Sequence, residues 1–333
     1  MPLSLALLLA CACQAGAAPG PDETAALVSA NTSRPTDSNQ AGGQASGEAS
    51  RQAGRQAGGQ ASRQAGRQAS GQAGGQASGQ AAAGQQFPGQ PLDIELEPLY
   101  RSWERVLATY VDDEGLVDYE GLSTRGRAEL EEVMQGLAAA NPGGMPDEAE
   151  QIAFWINAYN ATVLWQVVEA YPLDSVRDVG ALWGLVGGFF KQESLIAGEN
   201  RSLDDIEHGI LRTNYADARI HWALVCGAFG CPRLLRRPYL AADLATVLTA
   251  QALEFVAQDR GLRLDPGEST LHLSRYFDWY AGDFEAESGS VIDYLLRYVA
   301  SDVADYLRGN RDAVTIQFMD YDWTLNDQAK GPR

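Results

Sequence analysis

Several common catalytic signatures are missing from this chain. It has no G-x-S-x-G elbow and no glycine-rich phosphate loop after a strand, which removes the usual serine-hydrolase and nucleotide-binding signatures. Its 333 residues include only three histidines, His208, His221 and His272, and four cysteines. No standard zinc-ligand spacing joins them, so no metal is expected, and no cofactor is called for. From Val28 to Phe87 no large apolar residue occurs, so that stretch cannot bury enough surface to offset chain entropy. Basic residues are scarce where the chain is otherwise rich. The totals are 25 basic and 44 acidic residues; removing the five basic and four acidic residues of 1–90 leaves 20 and 40 in 91–333. An excess of 20 negative charges repels phosphate backbones and anionic lipid, which argues against nucleic acid and a docked membrane surface.

What is present divides the chain into three segments. Residues 1–18 read as a signal peptide or lipoprotein signal: Leu3 to Ala10 is apolar but too short to span a bilayer, and no Lys or Arg precedes it. Leu8-Leu9-Ala10-Cys11 resembles a bacterial lipobox, which makes Cys11 the expected lipidation site. Cleavage near Ala17 or Ala18, releasing a soluble protein, is the alternative. Residues 19–90 read as a disordered Gln/Ala/Gly/Ser-rich tether, and its 58 residues 29–86 would span on the order of 40 Å as a flexible coil. Residues 91–330 read as a single globular domain. The expected location is periplasmic or cell-surface, with membrane contact only through Cys11.

Within the domain, apolar spacing predicts helices over 91–111, 122–140, 148–171, 203–212, 240–258 and 289–307. Short strands are expected at 115–119, 189–192 with 194–197 as a hairpin, 219–225, 262–273 as a pair, and 314–319. Helices dominate and the strands cluster, which is an α+β class with a small, mostly antiparallel sheet.

The chemistry-bearing residues are few. Cys226 and Cys231, separated by a glycine-containing loop, allow either a disulfide in an oxidising compartment or a reactive thiolate. Cys226 as nucleophile would need His221 or His208 as base and Glu207 as the orienting carboxylate. On one continuous strand the five-residue spacing puts His221 and Cys226 on opposite faces, so the strand must end near Cys226 for them to meet. The bland alternative is a hydrogen-bonded core histidine beside a small buried cysteine. Asn157 and Asn160, three apart on an apolar helix, either tie down a neighbouring loop or line a polar pocket with Trp222.

Five stretches, in this order, resemble the family catalogued as domain of unknown function 547: Gly115 to Tyr119, Phe154 to Asn160, Leu203 to Arg212, Arg219 to Pro232, and Tyr321 to Asn326. The resemblance covers about 95–327. It implies a relation to papain-like or transglutaminase-like folds, and places Glu207, His208, His221 and Cys226 as the motif positions with chemical potential. In those enzymes the cysteine opens the central helix, whereas the best central helix here begins without one. Two functions follow as expectations. One is a thiol-dependent hydrolase or acyltransferase acting on peptide or amide bonds. The other is a non-catalytic binding or scaffolding domain for a protein, peptide or small-molecule ligand.

Overall fold

In the computed structural model, residues 96–179 and 188–331 are described. Residues 1–18 with Cys11 and residues 19–90, read from the sequence as a signal and a tether, lie outside them. Helix α1 (Glu97–Tyr110) buries Leu99, Trp103, Val106 and Leu107 along one stripe. The predicted 122–140 helix is two helices, α2 (Tyr119–Thr124) and α3 (Arg127–Ala139). They part at Gly126, where a Cβ would lie 2.4 Å from the Tyr110 ring. Asp118 caps α2 by accepting the Gly121 amide at 2.7 Å. Helix α4 (Glu148–Ala170) is apolar on nearly every side and runs through the first core, as its all-round burial requires. Asp147 caps it, with Glu148 and Glu150 in the first turn, where negative charge suits the helix dipole.

Past α4 the chain departs from expectation in three places. The hairpin is β1 (Ser194–Ile196) with β2 (Glu199–Arg201), while Phe189–Lys191 is a 3-10 turn. Ala197 and Gly198, both at positive φ, form the two-residue connection that sets this register. Residues 219–225 contain no strand. Ala218–Trp222 is a 3-10 helix capped by Asp217, which accepts the Arg219 amide at 3.0 Å. A short apolar run buried on all sides carries no period to distinguish strand from helix, and the aspartate decided it. The 289–307 helix is broken into α9 (Val291–Leu295) and α10 (Ser301–Gly309). An unexpected helical pair, α7 (Tyr276–Trp279) and α8 (Ala281–Ser288), precedes it.

The expected strand at 115–119 is reduced to isolated bridges of Val117 with Val111 and Asp327, because Tyr119 already opens α2; the other elements follow the sequence reading. Ser202 and Asp205 cap each other reciprocally at the start of the predicted helix, whose middle is a π-helix (Asp205–Leu211) leading into α5 (Arg212–Asn214). Helix α6 is Leu244–Val256. Strands β3 (Leu262–Asp265), β4 (Thr270–Leu273) and β5 (Thr315–Phe318) form one sheet, with β3 antiparallel and β5 parallel to β4. The fold is therefore α+β and helix-rich, with two small sheets.

Two apolar cores result. One gathers α1 to α4 with Val225, Cys226 and Cys231. The other is aromatic, built around Trp222, Phe255, Phe277, Phe284 and Tyr294. The 3-10 helix lies between them: Ile220 enters the first, Ala218 and Trp222 the second. The closing segment 321–327 binds the first core together. Asn326 accepts the Val117 amide, and Leu325 and Asn326 donate to Asp174 and Gly227.

Candidate functional site: a dithiol loop and a buried histidine

The two cysteines lie on a loop shaped from three sides. From α4, the Asn160 side chain donates to the Ala223 carbonyl at 2.9 Å and accepts the Val225 amide at 2.9 Å. One turn earlier Asn157 accepts the Trp103 indole and Tyr239 amide and donates to the Tyr239 carbonyl. Both amides thus hold backbone in the core. Gly227 turns the chain at φ +81° against Val176 and Val163, where a side chain would be strained. From the closing segment, Thr324 and Asp322 accept the amides of Phe229 and Gly230 at 2.9 Å each. Gly230 has no space for a Cβ, which would lie 2.6 Å from the Tyr321 ring.

That close approach lays Tyr321 over both sulfurs. Its hydroxyl is 3.1 Å from Cys231 Sγ and 3.4 Å from Cys226 Sγ. The Cys226 amide donates to Cys231 Sγ at 3.1 Å, and both cysteines are free and buried. Burial opposes charge on Cys231, but hydrogen bonds from Cys226, Tyr321, the Ala228 backbone and Tyr276 outweigh it and hold this thiol below its usual range. Cys226, its proton directed to Cys231 and its sulfur desolvated, is pushed up.

The histidines are elsewhere engaged. His221, 1% exposed, has its ring stacked on Tyr280 at 3.8 Å and edge-on to Phe284. Its Nε2 meets Asp283 Oδ2 at 2.8 Å, and its Nδ1 is buried without a partner. Arg212 grips the same carboxylate with two nitrogens, at 2.6 and 3.0 Å, and stacks over Tyr280. Burial opposes the Asp283 charge, yet His221 and Arg212 together hold its carboxyl well below the usual carboxylate range. His208 is exposed, with Nδ1 2.8 Å from Arg212. Glu207 is buried, and burial together with the Glu207 charge pushes the Tyr280 hydroxyl well above its usual range. His272 lies on β4, opposite Arg263 of β3 and Gln317 of β5.

The predicted residues thus form two groups. Glu207, His208 and His221 surround Arg212, Asp283 and Tyr280, while Cys226 and Cys231 sit beneath Tyr321. No hydrogen bond joins a histidine nitrogen to either sulfur among the described residues. Aromatic rings connect the groups: Tyr280 to Tyr276 at 5.6 Å, and Tyr276 to Tyr321 at 6.0 Å. Trp222 packs in the aromatic core, its indole donating to the Tyr294 hydroxyl at 2.7 Å. A cavity of about 200 Å³ opens beside His221 and Asp283. A wider groove of about 920 Å³ runs over Tyr321 and Trp323 between residues 174–178 and Lys330.

Asp283, Arg212 and Tyr280 were not singled out by sequence reasoning. The available signal was the four-residue spacing of Tyr276, Tyr280 and Phe284, which marks the helix that carries Asp283.

No curated protein and no solved structure matches the chain. Residues 143–256 match a family model described as protein of unknown function, DUF547. The matched part runs from the approach to α4 through α6, so it contains both asparagines, Glu207, His208, His221 and both cysteines, while Asp283 and Tyr321 lie beyond it. The match supports the resemblance that the motifs suggest: over its central part this chain resembles the DUF547 family.

Proposed function

We propose that the domain is a thiol-dependent hydrolase or acyltransferase acting on peptide or amide bonds, with the Cys226–Cys231 pair as nucleophile and His221 as base. The observation that carries this reading is the state of His221: buried, one nitrogen fixed by Asp283, the other without a partner. A carboxylate that orients an imidazole while its second nitrogen stays free is the arrangement a general base needs. The Cys226 amide donates to Cys231 Sγ, so the attacking thiolate is assigned to that sulfur rather than to Cys226. His221 would take the Cys231 proton, the thiolate would attack the carbonyl carbon, and the C–N bond would break as the C–S bond forms, the leaving amine taking that proton back from His221; water deprotonated by the same imidazole would then attack the thioester, and the C–S bond would break to release the acid and the thiol. Export on a tether from Cys11 belongs to this proposal and would place the activity at the cell envelope.

The test uses p-nitrophenyl acetate as an acylating probe on the full chain. The expected result is a burst of one p-nitrophenol per protein with the acetyl group mapped to Cys231. Cys231→Ala should abolish the burst, and His221→Ala should slow the following turnover by about a hundredfold or more. Absence of an acetyl adduct on either domain cysteine overturns the enzyme. That result would favour the binding domain, which the aromatic groove over Tyr321 and Trp323 supports.

A further inference from the structure

The hydrogen bonding around the two sulfurs is unequal, and this inequality has a use that acyl transfer does not require. Cys231 Sγ receives the Cys226 amide at 3.1 Å and lies 3.1 Å from the Tyr321 hydroxyl. Cys226 Sγ has the longer 3.4 Å contact with Tyr321. Cys231 Sγ thus accepts a backbone amide, and one tyrosine hydroxyl lies within hydrogen-bond reach of both sulfurs. Three elements hold this geometry in place: Asn160 of α4, the turn at Gly227, and residues 322–326. Such a pair has the two parts needed for reversible oxidation, a nucleophilic thiolate and a resolving thiol.

We infer that Cys226 and Cys231 form a peroxide-reactive dithiol: Cys231 is the sulfur attacked by hydrogen peroxide, and Cys226 resolves it to an intraloop disulfide. In the first step the Cys231 thiolate displaces hydroxide from peroxide, forming an S–O bond as the O–O bond breaks. Hydroxide takes up a proton to leave as water, and Cys231 becomes a sulfenic acid. In the second step the Cys226 sulfur attacks Cys231, the S–O bond breaks, and the second oxygen leaves as water with the Cys226 proton. Two thiols and one peroxide give one disulfide and two waters, the dithiol losing two electrons and peroxide gaining them.

This inference deepens the proposed function, because the disulfide consumes the proposed nucleophile and so turns that activity off under oxidising conditions. It also accounts for a chemistry that the sequence leaves open, since the loop holds free thiols poised for the bond rather than a permanent crosslink. Tyr321 acts as the positioning residue. Its ring closes over Gly230, and its hydroxyl touches both sulfurs.

The test treats the fully reduced full chain with one equivalent of hydrogen peroxide and maps its peptides by mass. The expected product is a Cys226–Cys231 crosslink, reversed by dithiothreitol. Cys226→Ser should instead accumulate a sulfenic acid on Cys231, trapped by dimedone. Cys231→Ser should consume peroxide at least tenfold more slowly. Tyr321→Phe, which keeps the ring, should slow crosslink formation severalfold. Far-UV circular dichroism checks that each variant is folded, and the wild-type crosslink stands as evidence without any variant. Two results overturn the inference: the wild-type chain fails to form the crosslink, or Cys231→Ser reacts as fast as wild type. The readout is mass rather than turnover, so a missing acetyl burst would sink the hydrolase and leave the dithiol intact, and the reverse also holds.

Discussion

Asp283 shows how a decisive residue can escape sequence reading. It is one of 44 acidic residues, and its partner His221 lies 62 positions earlier, so no local spacing singles it out. The cysteines and histidines, by contrast, were visible because they are rare. The role of Asp283 is testable through pH. A carboxyl held below its unfolded value of about 3.9 contributes stability that is fully present above that pH and is lost as pH falls through it toward the folded value. Asp283→Asn should destabilise the protein by about 2 kcal/mol at pH 7, less than for a fully buried pair because its side chain is 30% exposed. Urea unfolding should show the gap to wild type narrowing by about 1 kcal/mol at pH 3; an equal gap at both pH values would sink the assignment. Gly230→Ala tests the contact above the thiols. Pushing a methyl against Tyr321 should cost about 1–3 kcal/mol and speed thiol labelling by Ellman's reagent several-fold. Unchanged labelling would mean that Tyr321 does not cover the sulfurs.

Among the elements, α4 was legible because 23 residues of apolar helix former end at a proline and start at an aspartate cap. The two asparagines on it stood out in the sequence as amides that either anchor a loop or line a pocket; that they anchor backbone, and which backbone, comes from tertiary structure alone. Asn160→Ala would strand the Val225 amide and the Ala223 carbonyl in the core and should cost about 2–4 kcal/mol by thermal or urea unfolding. A loss below about 1 kcal/mol would mean that water replaces the amide there. The 203–212 helix was legible from its cap, but its π winding was not, because no sequence period marks it. Residues 218–222 were misread for the reason that makes them useful. They supply side chains to two cores in turn and show neither a two- nor a 3.6-residue beat. Gly209, inside the π-helix, has open space where a Cβ would be, so Gly209→Ala should be neutral or stabilise by up to about 1 kcal/mol. A loss of more than 1 kcal/mol by urea titration would show that the π winding needs the glycine.

At the scale of the whole molecule the acid excess is the dominant electrostatic fact. Residues 91–333 carry 20 more acids than bases, and the first 90 residues, with five bases against four acids, cannot neutralise them. The cations are almost all arginine, with Lys191 and Lys330 the only lysines in the sequence, and many are held in short pairs such as Arg212–Asp283, Arg219–Asp217 and Arg233–Glu254. Those contacts act over 2.6 Å, where salt screens them weakly, whereas the repulsion among the surplus carboxylates acts over tens of ångströms, where salt screens it strongly. Raising ionic strength from 0.01 to 0.15 M shortens the screening length from about 30 to about 8 Å, which should remove more repulsion than attraction. The melting temperature should therefore rise by a few degrees over that interval in a buffer held at pH 7, and the increase should shrink at pH 4, where protonation has already relieved part of the excess. A melting temperature that falls with salt at pH 7 would mean that the arginine pairs, rather than the surplus charge, govern the stability of the domain.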